Sequence, residues 1–241
     1  MRSADDRVSR RQARVVSELE SQTFAVVSSG SALEERLVAA RARWGALFTG
    51  ADKYLLPGDT QAPTGYVPLC MNGGCEMKES YYVRPERKPP SLVADVTHDL
   101  VRLLGEIAVS VASEINKAAG VPLVSFPAVG CLRVMRYPAF EGATESGLRK
   151  ALEADGAVRA DAHTDLNALT VLPAATTPGL EIRDGDRWIP AEVSAGEVLV
   201  HVGQELEASS GGRWRATEHR VRNPIGSERL RPRLSFAFFV S

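Results

Sequence analysis

Cysteine is scarce in this sequence. Three cysteines, an odd number, occur among 241 residues. So few thiols, which cannot all pair, argue against a disulfide framework and against an oxidising compartment. The opening letters, MRSADDRVSRR, are not followed by the apolar segment that forms the core of a secretory signal. We therefore expect a cytoplasmic protein.

Long apolar runs and an excess of charge of one sign are also missing. No stretch approaches the roughly 18 uninterrupted apolar residues of a membrane-spanning helix. The formal net charge of -1 gives no general attraction to nucleic acid or to anionic lipid. We therefore expect neither a membrane nor a nucleic acid as a partner. With 44% hydrophobic residues, the chain can bury one good core.

The first elements along the chain are predicted from local patterns. Residues 7–20 have a weak helical period, and the β-branched and aromatic run TFAVV, residues 23–27, predicts a short strand. Ser31 and Glu34 have the spacing of a capping box, in which two side chains satisfy free amides at a helix start. The pattern therefore predicts a helix over about 32–48.

Two contrasting segments follow. Residues 50–90 contain many glycines and prolines, which predicts a long irregular excursion with short strands. From residue 91 to Gly120, apolar residues recur at steps of three and four, which predicts a long one-sided helix. We expect a single domain, 1–241, made of a helical N-terminal part, residues 1–122, and a β-rich core, residues 123–241.

The second half of the chain is predicted to be mainly strands. Short strand-like runs occur at residues 131–137, 166–172, 179–183, 187–190, 197–202, 213–217 and 233–240. Only residues 143–156 have a helical pattern here. Seven short strands separated by turns favour a sandwich or a double-sheet jelly roll. The predicted fold class is α+β with a mainly β core.

Histidine is the residue type that suggests chemistry, because only four are present. His163 and Asp165 are two residues apart, so in an extended segment both side chains would lie on one face. His98 lies inside the long predicted helix and is most simply a surface or helix-packing residue. His201 lies in EVLVHV, where a core histidine with satisfied hydrogen bonds is expected. His219, in RATEHRV, is the remaining candidate for a third ligand.

Two histidines and one carboxylate form the facial triad of non-haem Fe(II) oxygenases, which leaves coordination positions open for co-substrate and O2. A structural zinc site would close the sphere with four ligands, usually including cysteine. Arg233 and Ser235, also two residues apart, would share one face of a late strand. A guanidinium and a hydroxyl suit the far carboxylate of a dicarboxylate that chelates iron at its other end.

At this point four segments carry a resemblance to a known family. HTDLNALTVL, PGLEIRDGDRWIP, EVLVHVGQELEASSGGRWRATEHRV and RPRLSFAFF, in this order, resemble the Fe(II)- and 2-oxoglutarate-dependent dioxygenases of the isopenicillin N synthase-like family. The resemblance implies a double-stranded β-helix, a jelly roll, flanked by N-terminal helices. It also implies iron ligation by His163, Asp165 and His219, and 2-oxoglutarate binding by Arg233, Ser235 and Tyr137.

Two positions depart from the family pattern. Met135 stands where many members have an asparagine that contacts the co-substrate, and Gln204 stands where an aspartate is usual. The implied reaction couples the conversion of 2-oxoglutarate and O2 into succinate and CO2 to oxidation of a small-molecule substrate. Hydroxylation, desaturation and ring closure all stay open.

Two alternatives to this function are retained. One is an oxidase of the isopenicillin N synthase type, which uses no 2-oxoglutarate and holds a substrate carboxylate with the same arginine and serine. The other is a protein that binds metal without turnover.

The strand around residue 133 gives one indication of the substrate. Strand alternation places Arg133 on the face of Tyr137, so Arg133 is a candidate for binding an anionic substrate group, with a structural ion pair as the alternative. Cys70 and Cys75 are expected to be free thiols. Neither the substrate nor the oligomeric state follows from these patterns.

Overall fold

The computed structural model describes residues 4–56, 64–69, 77–125, 130–140 and 157–241. The helix predicted at residues 143–156 and the cysteines Cys70 and Cys75 lie outside these ranges. The helices of these ranges include none with the length and apolar content that a membrane span requires.

Three long helices precede the main strands. The α-helices of the described chain are α1 Ala4–Gln22, α2 Ser31–Thr49, α3 Ala94–Ala119 and α4 Gln204–Ser209. Short 3-10 turns occupy Ala51–Leu55, Ser91–Val93 and Gly226–Leu230. The first three helices confirm the predictions from periodicity, and α3 ends as expected at Gly120, whose φ of 74° allows its N–H to bond to carbonyls of the last turn.

The predicted capping box at the start of α2 is wrong. The N-cap residue is Gly30, and none of the described side chains caps the helix. Glu34 instead accepts a hydrogen bond from Arg41 Nη1 at 2.8 Å. Ser31 is already the first helical residue, so its hydroxyl is not placed to accept from the third amide of the helix.

Eleven strands are present in the described residues. They are β1 Phe24–Ser28, β2 Gly65–Val67, β3 Glu79–Val83, β4 Gly130–Tyr137, β5 Val158–His163, β6 Leu169–Pro173, β7 Leu180–Asp184, β8 Arg187–Pro190, β9 Glu197–Val202, β10 His219–Arg222 and β11 Arg233–Val240. They form a seven-stranded sheet in the order β1-β9-β6-β11-β4-β3-β2 and a four-stranded sheet in the order β5-β10-β7-β8. All pairings are antiparallel.

The large sheet is buried on both faces. One face packs against α2 and α3 through residues such as Val134, Val171 and Phe236. The other face carries Met135 and Leu199, which pack toward residues of the small sheet. The fold is thus a two-sheet jelly roll covered by N-terminal helices, as predicted. The space between the two sheets is where polar side chains can be enclosed.

Three strands of the large sheet, β1, β2 and β3, come from the first 122 residues. The expected β core, residues 123–241, therefore extends into the helical part. Because one continuous sheet joins the two parts, we continue to propose a single domain.

Several element predictions in the second half need correction. Residues 213–217 are not a strand, because Trp214 is buried in an irregular segment and the strand begins only at His219. The run at 166–172 becomes extended only from Leu169. The short helix α4 was not predicted.

Candidate active site between the two sheets

His163, Asp165 and His219 are brought together at one end of the small sheet. His163 is the last residue of β5 and His219 is the first residue of β10, and the two residues are direct partners across this antiparallel pair. Asp165 lies in the turn after β5, so the expectation that one strand would carry both His163 and Asp165 is wrong. The turn nevertheless brings the carboxylate to the two imidazoles.

The donor atoms of these three residues fit a single metal ion. One ligand atom from each lies within 4.8 Å of the others. Both histidine Nε2 atoms are 3.9 Å from Asp165 Oδ1. His163 Nδ1 lies 2.7 Å from Asp161 O, and His219 Nδ1 lies 3.0 Å from Thr217 O. Because a carbonyl only accepts, each Nδ1 carries the proton, which leaves both Nε2 lone pairs free for a metal.

The two carboxylate oxygens of Asp165 have different surroundings. Oδ1 is the oxygen nearest both His163 and His219, whereas Oδ2 accepts a 2.6 Å hydrogen bond from Thr170 Oγ1. Burial acts to raise the pKa of Asp165, but His201, His219 and the Thr170 hydroxyl outweigh it and hold the pKa below its usual value. The carboxylate is therefore ionised, as a metal ligand must be.

His219 is held in its neutral form. Burial is the largest influence and, together with the nearby His201, lowers the pKa of His219 to about 3. A histidine binds a metal only when it is unprotonated, so this environment favours metal binding at neutral pH. The His163 side chain, in contrast, is 40% exposed, which leaves the metal position accessible from one side.

His201 was expected to be a satisfied core histidine, and this expectation is wrong in one respect. The residue is buried as predicted, with 1% exposure. However, its Nε2 atom has no hydrogen-bond partner in the part of the chain that the structure describes and lies 3.4 Å from Asp165 Oδ2. His98 is exposed on α3, as expected.

Arg233, Ser235 and Tyr137 face the same space from the large sheet. Arg233 is the direct partner of Tyr137 across the β11–β4 pair, and Ser235 is the partner of Met135. All three predicted residues are buried, and the Arg233 guanidinium lies 5.2 Å from the centre of the Tyr137 ring.

The Arg233 guanidinium has no counter-charge among the described residues. Its Nε donates to Thr177 O at 3.1 Å, but no carboxylate of the described residues lies within ion-pair distance. Burial lowers the pKa of Arg233. A buried charge without a partner is costly, so this end of the space favours an anion.

One cavity connects the two ends of the site. Its described lining contains the six residues predicted as site residues on geometric or family grounds, namely Tyr137, His163, Asp165, His219, Arg233 and Ser235. Arg133 and Met135 also line it, which confirms the predicted alternation along β4. Arg136 points elsewhere and bonds to Glu79 Oε1 at 2.6 Å.

Three contributors to the site had no assigned role in the sequence analysis. Lys78 is buried at the cavity with its Nζ 6.0 Å from the centre of the Tyr137 ring. Thr170 holds Asp165, and Gln204 Nε2 donates to Thr164 Oγ1 at 2.7 Å, inside the HTD segment. The sequence offered a signal for Thr170, which is a hydroxyl residue in an otherwise apolar strand. A buried hydroxyl in such a strand needs a hydrogen-bond partner.

Comparison with known proteins finds similar proteins among oxygenases. Residues 130–241 match the model of the 2OG-Fe(II) oxygenase superfamily. Flavonol synthase 1 of Crocosmia x crocosmiiflora is 32% identical over 87 residues, which are 36% of this chain and 25% of that protein. Jasmonate-induced oxygenase 1 of Arabidopsis thaliana is 30% identical over 147 residues, which are 59% of this chain and 33% of that protein. In these matches the chain spans between a quarter and a third of the length of the curated relatives.

A solved structure covers more of the chain. A protein of Shewanella oneidensis assigned as an oxygenase superposes with a TM-score of 0.80 at 26% identity, covering 99% of this chain and 87% of that one. The family match covers the part of the chain that contains the six site residues, and the structural match extends the likeness to the N-terminal helices. Residues 130–241 thus resemble the 2OG-Fe(II) oxygenase superfamily, whose members use Fe(II) and 2-oxoglutarate.

Proposed function

We propose that the protein is an Fe(II)- and 2-oxoglutarate-dependent dioxygenase that oxidises a small-molecule substrate with O2 and releases succinate and CO2. The observation that carries the proposal is the pairing of two features in one cavity. His163, His219 and the ionised Asp165 lie at one end, and the buried Arg233, without a carboxylate partner among the described residues, lies at the other. A dicarboxylate that chelates iron through one end matches both features.

His163, Asp165 and His219 would hold the iron. Their Nε2 atoms and Oδ1 converge, and the Nδ1 bonds to Asp161 O and Thr217 O fix both imidazole rings in the ligating tautomer. Bound iron with 2-oxoglutarate and O2 supplies the oxidising power, and three protein ligands leave positions free for those molecules. The chain itself contributes orientation and a defined charge, because Asp165 balances one of the two positive charges of Fe(II).

Arg233 and Ser235 would bind the distal carboxylate of 2-oxoglutarate. The guanidinium can donate two hydrogen bonds in a fixed fork, and the hydroxyl adds a third. Tyr137 lies beneath the guanidinium and, being 2% exposed, helps to exclude water from this ion pair. The arrangement thus sets the distance between the anchored end and the iron end of the co-substrate.

Arg133 would bind an anionic group of the substrate. Its Nε donates to Ser80 Oγ at 3.2 Å, and its guanidinium lies 4.8 Å from the centre of the Tyr82 ring. These contacts orient a guanidinium that also lines the cavity. With Lys78 nearby, the described lining contains three cationic side chains, counting Arg233, and one carboxylate, Asp165. This balance supports a small organic anion as substrate.

The two alternatives are less well supported. An oxidase without 2-oxoglutarate would need a substrate carboxylate at Arg233, and the superfamily match favours the 2-oxoglutarate reaction instead. An inactive metal-binding protein would not need the buried cation. A cytoplasmic location is part of the proposal and is supported by the small, odd number of cysteines.

Iron binding provides the test of this function. Native protein loaded with Fe(II) under anaerobic conditions should bind one equivalent, and His219→Ala should lose most of it because one of three ligands is gone. His98→Ala is the matched control, since His98 is exposed on α3 far from the ligands in sequence. Stoichiometric binding by His219→Ala, measured as iron content after desalting, would remove this residue from the site.

A further inference from the structure

His201 is a buried polar residue that the proposed reaction does not use. It lies in β9, is 1% exposed and faces the metal end of the cavity. Its Nε2 atom has no hydrogen-bond partner among the described residues. An unsatisfied donor or acceptor in this position costs stability, so its presence calls for a physical explanation.

The contact that explains it is with the metal-binding carboxylate. His201 Nε2 lies 3.4 Å from Asp165 Oδ2, the oxygen turned away from His163 and His219. The same Oδ2 already accepts from Thr170 Oγ1 at 2.6 Å. Thr170 and His201 are direct partners across the β6–β9 pair. Two neighbouring strands therefore present two side chains to one oxygen.

His201 has an acceptor beside each ring nitrogen. Nδ1 lies 3.4 Å from Val202 O in hydrogen-bonding geometry, whereas Nε2 lies 3.4 Å from Asp165 Oδ2 outside that geometry. A neutral imidazole has one N–H to donate, and the ionised carboxylate is the stronger acceptor. A small turn of the ring that aligns Nε2 with Oδ2 therefore exchanges the bond to Val202 O for one to Asp165.

We propose that His201 is a positioning residue that donates its Nε2–H to Asp165 Oδ2 and, together with Thr170, leaves Oδ1 as the single iron-binding oxygen. With Oδ2 occupied by two donors, the carboxylate binds through one oxygen and does not take a second coordination position. That position stays open for co-substrate or O2. The inference rests on the proposed function, because it assumes that Asp165 binds iron.

The test compares metal binding by His201→Leu and His201→Gln with native protein. The amide nitrogen of Gln is the same number of bonds from Cβ as Nε2 of His, so Gln can donate a hydrogen bond at the same place. Leu has no donor. Fe(II) affinity measured anaerobically should fall about 10- to 100-fold in His201→Leu, the usual effect of removing a group that orients a ligand. His201→Gln should stay within a few-fold of native. The visible absorption of Co(II)-substituted protein should change in His201→Leu and not in His201→Gln.

Folding is separated from positioning by two further measurements. Thr97→Val removes another buried hydroxyl, bonded to Trp44, away from the cavity, and should leave metal affinity unchanged. If circular dichroism shows that His201→Leu does not fold, His201→Asn takes its place in the test. The amide nitrogen of Asn is one bond closer to Cβ than that of Gln, so it does not reach Asp165 Oδ2. His201→Asn should therefore bind Fe(II) at least tenfold more weakly than His201→Gln.

Two results would overturn the inference. If native protein binds the metal and the donor-free or shortened variant binds it equally well with the same Co(II) spectrum, His201 is a packing residue only. If native protein binds neither Fe(II) nor Co(II), the proposed function fails and this inference fails with it.

Discussion

Two neighbouring arginines on β4 have opposite surroundings. Arg133 faces the cavity, whereas Arg136 faces the other side of the sheet and bonds to the buried Glu79. Glu79 also accepts hydrogen bonds from Lys53 Nζ at 2.9 Å and from Tyr66 Oη at 2.7 Å. Arg136 therefore belongs to a structural ion cluster, and we propose Arg133 as the one of the pair that binds a substrate.

Arg133→Leu should weaken binding of an anionic substrate while sparing 2-oxoglutarate. Loss of a charge-assisted hydrogen bond costs roughly 1.5–3 kcal/mol, which corresponds to about 10- to 100-fold in affinity. The measurement is a thermal-shift titration of the Fe(II) and 2-oxoglutarate complex with a panel of small carboxylic and phosphoric acids. Acids that stabilise native protein should need higher concentrations with the variant.

Arg136→Leu is the matched control on the same strand. It should lower the free energy of unfolding by about 1–3 kcal/mol, because Glu79 loses a charged partner while buried, and it should leave acid binding unchanged. Equal acid binding by native protein and Arg133→Leu would assign Arg133 to structure instead.

At the residue scale, sequence reasoning succeeded where spacing and rarity were informative. With four histidines and one HxD pair, few metal sites were possible, and His163, Asp165 and His219 do converge. Sequence reasoning failed for His201. The group that contacts its buried imidazole is set by Thr170 and by the turn after β5, which carries Asp165. Those neighbours are distant in sequence from His201, and no local pattern contains them.

At the scale of elements, the turn that carries Asp165 is fixed by the start of α4. The backbone N–H of Gln204 donates to Asp165 O at 2.8 Å, and that of Gly203 donates to Ala168 O at 2.9 Å. A Cβ added to Gly203 would lie 1.9 Å from Asn167 O. The close approach of these two segments therefore requires glycine at this position.

Gly203→Ala should displace the turn and weaken the metal site. Overpacking of this kind costs about 1–3 kcal/mol of unfolding free energy, and Fe(II) affinity should fall about tenfold because Asp165 moves with the turn. Gly45→Ala in the interior of α2 is the control, since a Cβ there meets nothing within 4 Å. It should raise stability by about 0.5–1 kcal/mol with native iron binding. Urea titration measures the unfolding free energy of both variants, and iron titration measures their Fe(II) affinity. If Gly203→Ala matches the native protein in both, this account of the turn is wrong.

Long elements were predictable and short ones were not. The 26-residue helix α3 repeats its apolar spacing many times, so its extent and its glycine end follow from the pattern. Helix α4 has six residues, too few to establish a period against the neighbouring strand. Residues 213–217 alternate like a strand, but Trp214 is buried in an irregular segment before β10.

At the scale of the whole molecule, the two sheets contribute different residues to the proposed site. The small sheet supplies His163 and His219, and the large sheet supplies Arg233, Ser235 and Tyr137. The spacing between the sheets therefore sets the spacing between the metal and the anion ends. The family resemblance made this architecture predictable. The pairing of β1, β2 and β3 with the large sheet was less predictable, because pairing between segments distant in sequence leaves no local pattern.

The central claim is that one cavity binds Fe(II) at the triad and 2-oxoglutarate between the triad and Arg233. Anaerobic addition of 2-oxoglutarate to the Fe(II) protein should produce a visible metal-to-ligand charge-transfer band that saturates at one equivalent. Arg233→Leu removes two charge-assisted hydrogen bonds of roughly 1.5–3 kcal/mol each, so half-saturation should need about a hundredfold more 2-oxoglutarate or higher still. The band should still form at high concentration, because the chelating end is unchanged. If the native protein gives no band, and oxidises a substrate with O2 in the absence of 2-oxoglutarate, the dioxygenase account is wrong and the oxidase takes its place.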